Sequence, residues 1–407
     1  MHICPIGGWT QRREGFNVLG SLEMSSDASL IYLDNNATTA VDPAVLDEML
    51  PFLTHAYGNP SSAYRFGKEV AEALSLARQR VAALLGCDPG EVVFTGCGTE
   101  STNTALFSAL AMDPDRQHIV TSRVEHSATL KTCERLAKRG IEITWLGVDS
   151  RGQIDLGELE SSIRPDTAIV SLMWANNETG TLFPVDQIQQ ITRKAGVFFH
   201  TDAVQVIGKM PVRLAEQHVQ FLSLSGHKLH CPKGVGALFV NRKCRFNPWM
   251  TGGGQEEGRR AGTENVASIV GLGKACELAV SGMESYGVHV RFLRDRFEKG
   301  VLERIPGASM NGDPVNRLPN TSNLAFEGVD SEAALMALDL RGVCCSAGSA
   351  CTTGSLYPSH VLKAMGCSDA RARSSLRFSF SHLNTLEQTD MALTTLETVM
   401  ASLRRSS

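Results

Sequence analysis

Five polar groups stand directly after five short apolar runs. EVVF (91–94) leads into Thr95-Gly96-Cys97-Gly98-Thr99-Glu100, a glycine loop opening a helical stretch, which suits a phosphate. Just past HIVT (118–121) stand Glu125 and His126. After AIVSLM (168–173) come Asn176, Asn177, Glu178 and Gly180; after VFFH (197–200), Asp202 and Gln205; after FLSLS (221–225), Gly226, His227 and Lys228. A phosphate loop, an imidazole, an amide, a carboxylate and an amine thus follow successive strand-like runs. Each alone has an ordinary reading, as a turn, a cap or a surface charge. Together they matter, because ligands of an open α/β sheet bind beyond the carboxyl ends of its strands.

The elements that must position these groups read as a mainly parallel sheet. Residues 41–240 alternate helix-period stretches with seven strand-like runs, the last two of which are FLSLS and GALFV (236–240). Asp42-Pro43 is a helix start, and residues 67–86 have helical apolar spacing ending at Gly86. Residues 264–304 read as one or two long helices. SNLAFEG, VCCSAG, SLRFSF and a final helix at 385–404 then suggest a smaller α+β domain. The expected division is a disordered extension at 1–28, a large domain at 41–285, and a small domain from 29–40 plus 286–407. The boundary is placed at 280–290.

Composition narrows the function classes. The 407 residues are 43% hydrophobic and 20% charged, as in globular proteins. A net charge of -4 argues against binding nucleic acid or an acidic membrane surface. No unbroken apolar run reaches the ~20 residues of a membrane span. The 11 cysteines are scattered without zinc-finger spacing, so neither a metal nor a disulfide framework is expected, and a reducing cytoplasm is. Residues 1–28 lack the apolar core of a secretory signal, and Met24 offers an alternative start.

The strand-end set meets the demands of pyridoxal 5'-phosphate (PLP). An aldehyde cofactor needs a lysine for its resting Schiff base, here Lys228. The pyridine nitrogen needs a carboxylate to hold its proton, here Asp202. The phosphate needs backbone N–H groups and hydroxyls, and the ring needs a flat partner, which His126 can provide.

At these residues the chain resembles the cysteine desulfurases of the nitrogen-fixation and iron–sulfur-cluster-assembly type. The matching segments include YLDNNATT (32–39), YGNPSS (57–62), GTES (98–101), VEH (124–126), NNETG (176–180), HTDAVQ (200–205), SGHK (225–228), RRAGTEN (259–265), GSAC (348–351) and SSLRFS (374–379). The resemblance implies the fold-type I, aspartate aminotransferase-like architecture of PLP transferases. It assigns Gly98, Thr99, Ser225 and His227 to the phosphate, and Asn177 and Gln205 to the phenolic oxygen side. Thr263 would reach the phosphate of a neighbouring subunit, which implies a homodimer. Arg377 would bind the substrate carboxylate with its two-pronged guanidinium. Cys351, on a Gly/Ser-rich run expected to form a mobile loop at about 344–356, would take sulfur from L-cysteine as a persulfide, leaving L-alanine. The base at the substrate Cα would be Lys228, with His126 moving protons on the substrate thiol. An iron–sulfur scaffold or another sulfur-acceptor protein would then receive the sulfur.

Two other readings stand beside this one: a selenocysteine lyase or other fold-type I enzyme, and a PLP-binding assembly partner without activity. Cys344 and Cys345 are read as strand packing, with a relay thiol as the alternative. The chain departs from the family pattern at Tyr64, where a histidine is usual nearby, and at Cys231, where glycine is usual. Cys231 is expected either to tighten its turn or to be prone to oxidation.

Overall fold

The structure, a computed structural model, describes residues 30–348 and 358–406. Residues 1–28, including Cys4 and Met24, and Cys351 with most of its loop lie outside the described residues. In chain order the first elements are β1 (Ile31–Tyr32), α1 (Pro43–Thr54), α2 (Arg65–Leu85), β2 (Val92–Thr95), α3 (Gly98–Met112), β3 (His118–Ser122), α4 (Ser127–Ala137) and β4 (Glu142–Leu146). Next come α5 (Leu156–Ser162), β5 (Thr167–Ser171), α6 (Val185–Ala195), β6 (Phe198–Asp202), β7 (Phe221–Ser225), β8 (Gly236–Val240) and α7 (Val266–Arg304). The chain closes with β9 (Ala308–Asn311), β10 (Thr321–Phe326), α8 (Ser331–Asp339), β11 (Val343–Cys344), α9 (His360–Ala364), α10 (Asp369–Arg373), β12 (Ser375–Ser379) and α11 (Leu386–Ser406).

The seven expected strands form one sheet in the order β2-β8-β7-β6-β5-β3-β4. Only β8 runs against its neighbours, β2 and β7, so β2 points the same way as the parallel strands. The carboxyl ends of β2, β3, β5, β6 and β7 therefore share one edge. Residues of β2, β3, β5, β7 and β8 are buried throughout, which is why they read as continuous apolar runs. Alternate residues still face opposite sides. Phe94, Val120, Val170, Leu222 and Phe239 enter one core, while Val93, Ile119, Ile169, Phe221 and Leu238 enter another across the sheet.

A third core lies in the carboxyl-terminal part. It gathers Ile31, Leu33, Leu324, Phe326, Leu376, Phe378 and Leu396 around the three-stranded sheet β12-β10-β9 and the parallel pair β1-β11. Helix α7 serves both regions. Asn265 caps it by accepting from Ser268 N, and it runs unbroken for 39 residues, about 58 Å at 1.5 Å per residue. Ile269, Leu272 and Cys276 pack into the first core, and Val290, Leu293, Phe297 and Val301 into the third. The proposed 280–290 boundary thus falls inside one helix. An 18-residue window of α7 has mean hydropathy 1.4, but half of that window is buried inside the molecule, with α1 and α2 against the helix.

Candidate active site

At the carboxyl edge of the large sheet lies a cavity of about 200 Å³. Gly98, Thr99, His126, Asn177, Asp202, Gln205, Ser225, His227, Lys228 and Arg377 all line it, with Asn36, Ala37 and Cys97. The structure therefore brings together every expected site residue except Thr263 and Cys351. Thr263 is exposed and does not line this cavity of its own chain.

Each side chain is placed by the end of its strand. The loop after β2 ends at Cys97, which starts α3 in extended backbone and contributes no side-chain cap. The first N–H groups of α3 are left for an anion, at the positive end of the helix dipole. Gly98 is needed there: a Cβ would stand 2.9 Å from Val204 Cγ2 and 3.5 Å from Ser225 Cβ. After β3, His126 is the N-cap of α4, and its Nδ1 accepts from Ala128 N at 3.1 Å. That bond leaves Nε2 as the nitrogen that carries the proton of the neutral ring.

Asp202, at the end of β6, is buried, and its Oδ1 accepts from Val204 N at 3.0 Å. Burial pushes its carboxyl pKa up, opposed by His126, the Val204 N–H and Lys228. Lys228 sits on a short turn directly after β7 and donates to the carbonyl oxygens of Asn36 and Ala37, both at 2.6 Å. His227 is pushed down to about 4, by burial first and then by Lys228, Lys233 and His126, so its ring is neutral at pH 7.

Arg377 comes from β12 and is only 1% exposed. Its Nη1 donates to Asn177 O at 2.8 Å and its Nη2 to Asp34 Oδ1 at 2.7 Å, while Nε is buried without an acceptor among the described residues. A guanidinium held rigidly at the wall of a cavity, with a donor to spare, can receive a carboxylate. The segment between β1 and α1 closes the site. Asn36 N donates to Ser379 Oγ, and Asn36 Nδ2 to Thr321 Oγ1 and Asn177 O, tying this segment to both sheets.

The matched family model, "Aminotransferase class-V", covers residues 31–391. The chain belongs to the class-V aminotransferase family. It is 50% identical over 378 residues to "Cysteine desulfurase NifS" of Azotobacter vinelandii, covering 93% of this chain and 94% of that one. It is 52% identical over 379 residues to "Cysteine desulfurase" of Gluconacetobacter diazotrophicus, covering 93% and 95%. Among solved structures, a "NIFS-LIKE PROTEIN" superposes with TM-score 0.86 at 37% identity, covering 92% of this chain and 100% of that one. DndA from Streptomyces lividans matches with TM-score 0.73 at 38% identity, over 85% and 98%. The resemblance to cysteine desulfurases and the fold expected from it are borne out.

Class-V aminotransferases are PLP enzymes, and the residues present fit that group. The uncapped α3 N-terminus would hold the phosphate, Lys228 the aldehyde carbon, Asp202 the pyridine nitrogen and His126 the ring face. The departures from the family pattern also find places. Tyr64 is exposed and precedes α2 without capping it. Cys231 is buried against the Gly226 turn, and burial pushes its thiol pKa up, which disfavours the reactive thiolate. The turn-tightening expectation fits this place. Cys344 pairs through β11 with β1 and Cys345 packs against the third core, both with thiol pKa raised by burial.

Sequence reading missed Asp34, Asn36, Glu125 and Lys209. None follows a strand of the large sheet in a recognisable turn except Glu125, which His126 overshadowed. The spacing of Gln205 and Lys209, four apart after the β6 carboxylate, was the available signal.

Proposed function

We propose that the protein is a homodimeric cysteine desulfurase of the cytoplasm, which moves sulfur from L-cysteine to Cys351 for delivery to an acceptor. The supporting observation is the meeting of Lys228, Asp202, His126 and Arg377 in one cavity beside an uncapped helix N-terminus. Bound PLP supplies an electron sink for the carbon next to the substrate nitrogen. Arg377 would hold the substrate carboxylate. Lys228, freed by the incoming amine, would take the Cα proton. His126, through Nε2, would exchange a proton with the substrate thiol. Cys351, as thiolate, would attack the substrate sulfur. One S–S bond forms and one C–S bond breaks, so L-cysteine and a thiol become L-alanine and a persulfide. The persulfide would pass to an iron–sulfur scaffold or another sulfur-acceptor protein. Thr263 would complete the phosphate site of the partner subunit.

The test is alanine formation from L-cysteine, with selenocysteine run alongside. Cys351→Ala should keep bound PLP yet lose sulfide release in the presence of dithiothreitol. Undiminished release by that variant would remove Cys351 from the reaction, and absence of alanine from the wild type would sink the whole reading.

A further inference from the structure

We propose that Lys209 is a positioning residue, which locks the Gln205 amide so that an N–H of it, and not its carbonyl, serves the cofactor cavity. The inference rests on the reading that this cavity holds PLP. Lys209 is 5% exposed, and its Nζ hydrogen bonds go to amide oxygens, those of Gln205 and Asn36. Lys228 and Arg377 add like charge from the cavity side, and His230 lies within its field. Burial, then Lys228 and Arg377, hold its ammonium pKa well below the usual lysine range. An amine in such a place is costly, and a methionine would fill the same space without that cost.

What the amine provides is a group with hydrogens to give. Lys209 Nζ donates to Gln205 Oε1 at 2.8 Å and to Asn36 Oδ1 at 3.2 Å. Charged or neutral, the group spends two N–H donors here, and a donor facing each amide leaves it one orientation: oxygen toward the lysine. The nitrogens must then turn away. Asn36 Nδ2 reaches Thr321 Oγ1 at 2.8 Å, and Gln205 Nε2 reaches Asn36 O at 2.9 Å. The latter carbonyl is the one that also accepts from Lys228 Nζ. One hydrogen of Gln205 Nε2 is thereby used, and the second remains for the cavity that Gln205 lines. Without Lys209 the amide could reverse and set a carbonyl lone pair against the phenolic oxygen of the cofactor.

A donor at the phenolic oxygen competes for the proton held at the Lys228–cofactor link, so that proton should leave at lower pH than without the donor. The link's protonation is read from the absorption spectrum of the holoenzyme as pH is raised. Lys209→Met should raise the midpoint by about one pH unit, the worth of a hydrogen bond of roughly 1.4 kcal/mol. Gln205→Leu should give a similar rise, and the double variant little more than either. Lys209→Gln, which can still donate, should recover most of the wild-type midpoint. If K209M does not fold, Lys209→Ala takes its place, since its side chain adjoins a cavity of about 450 Å³. A wild-type midpoint in K209M or K209A overturns the proposal, and so does full additivity with Q205L, which would mean that the lysine acts through its own charge. A wild type that shows no Lys228-linked spectrum refutes the PLP reading instead.

Discussion

Glu125 is wholly buried beside His126 in the chain. Its Oε1 accepts from Ser122 Oγ at 2.7 Å and Met173 N at 3.0 Å, while Oε2 has no partner among the described residues. Burial pushes its pKa from the model-peptide range near 4.5 up to about 8, Asp202 adding to the rise against those two hydrogen bonds. The folded protein therefore holds a proton that the unfolded chain releases, and stability falls as pH rises through that window. Between pH 5 and 8 the wild type should lose on the order of a few kcal/mol from this group. Glu125→Gln should flatten that slope in urea titrations at the two pH values. An unchanged slope would mean that Glu125 ionises freely. Arg377→Lys keeps the charge but loses the fork, so KM for L-cysteine should rise about 10- to 100-fold, with PLP binding retained. Steady-state kinetics and a cofactor spectrum check both halves. At this scale the sequence carried the groups that strand ends deliver, such as Asp202 and Lys228. Apart from the Gln205–Lys209 spacing, Asn36, Glu125 and Lys209 acquire meaning only through burial and through partners distant in the chain, such as Thr321 for Asn36, Met173 for Glu125 and Asn36 for Lys209.

The elements were legible for a different reason. Most strands of the large sheet are covered on both faces, so they stand out as apolar runs between helices. Asp42 caps α1 by accepting from Ala44 N at 2.8 Å, and α2 ends on Gly86 in the left-handed conformation, both as local rules predict. The short strands β1 and β9 escaped notice: β1 is two residues at the edge of the amino-terminal tail, and β9 (ASMN) holds no apolar run. The packing of α2 on α7 was also invisible in the sequence. There Gly273 meets Ala77 so closely that a Cβ would stand 2.6 Å from Ala77 Cα, with backbone on one side of the clash. Gly273→Ala should therefore destabilise the protein by about 1–3 kcal/mol, despite alanine's better helix propensity. Chemical denaturation would show it, and a more stable variant would mean that the two helices separate at little cost.

At the scale of the molecule, α1 is apolar on two sides. Val45 and Met49 enter the core, with Met49 packed against Gly271 of α7. Leu46, Leu50 and Leu53, spaced to share the other face, are 46%, 45% and 60% exposed. A monomer gains nothing from such a stripe, and exposed apolar faces of this kind commonly mark an interface. The occupant we favour is a second copy of the chain, because the proposed dimer also explains why Thr263 stands exposed, away from the cavity of its own subunit. Leu50→Glu together with Leu53→Glu should then shift the protein from dimer to monomer in light scattering. The same variant should bind PLP more weakly, since each phosphate site would lose the partner's hydroxyl, while far-UV circular dichroism stays unchanged. A dimer that persists in that variant would place the interface elsewhere. Monomers that hold PLP as tightly as the wild type would separate the two claims, leaving the interface on α1 but removing Thr263 from the phosphate site.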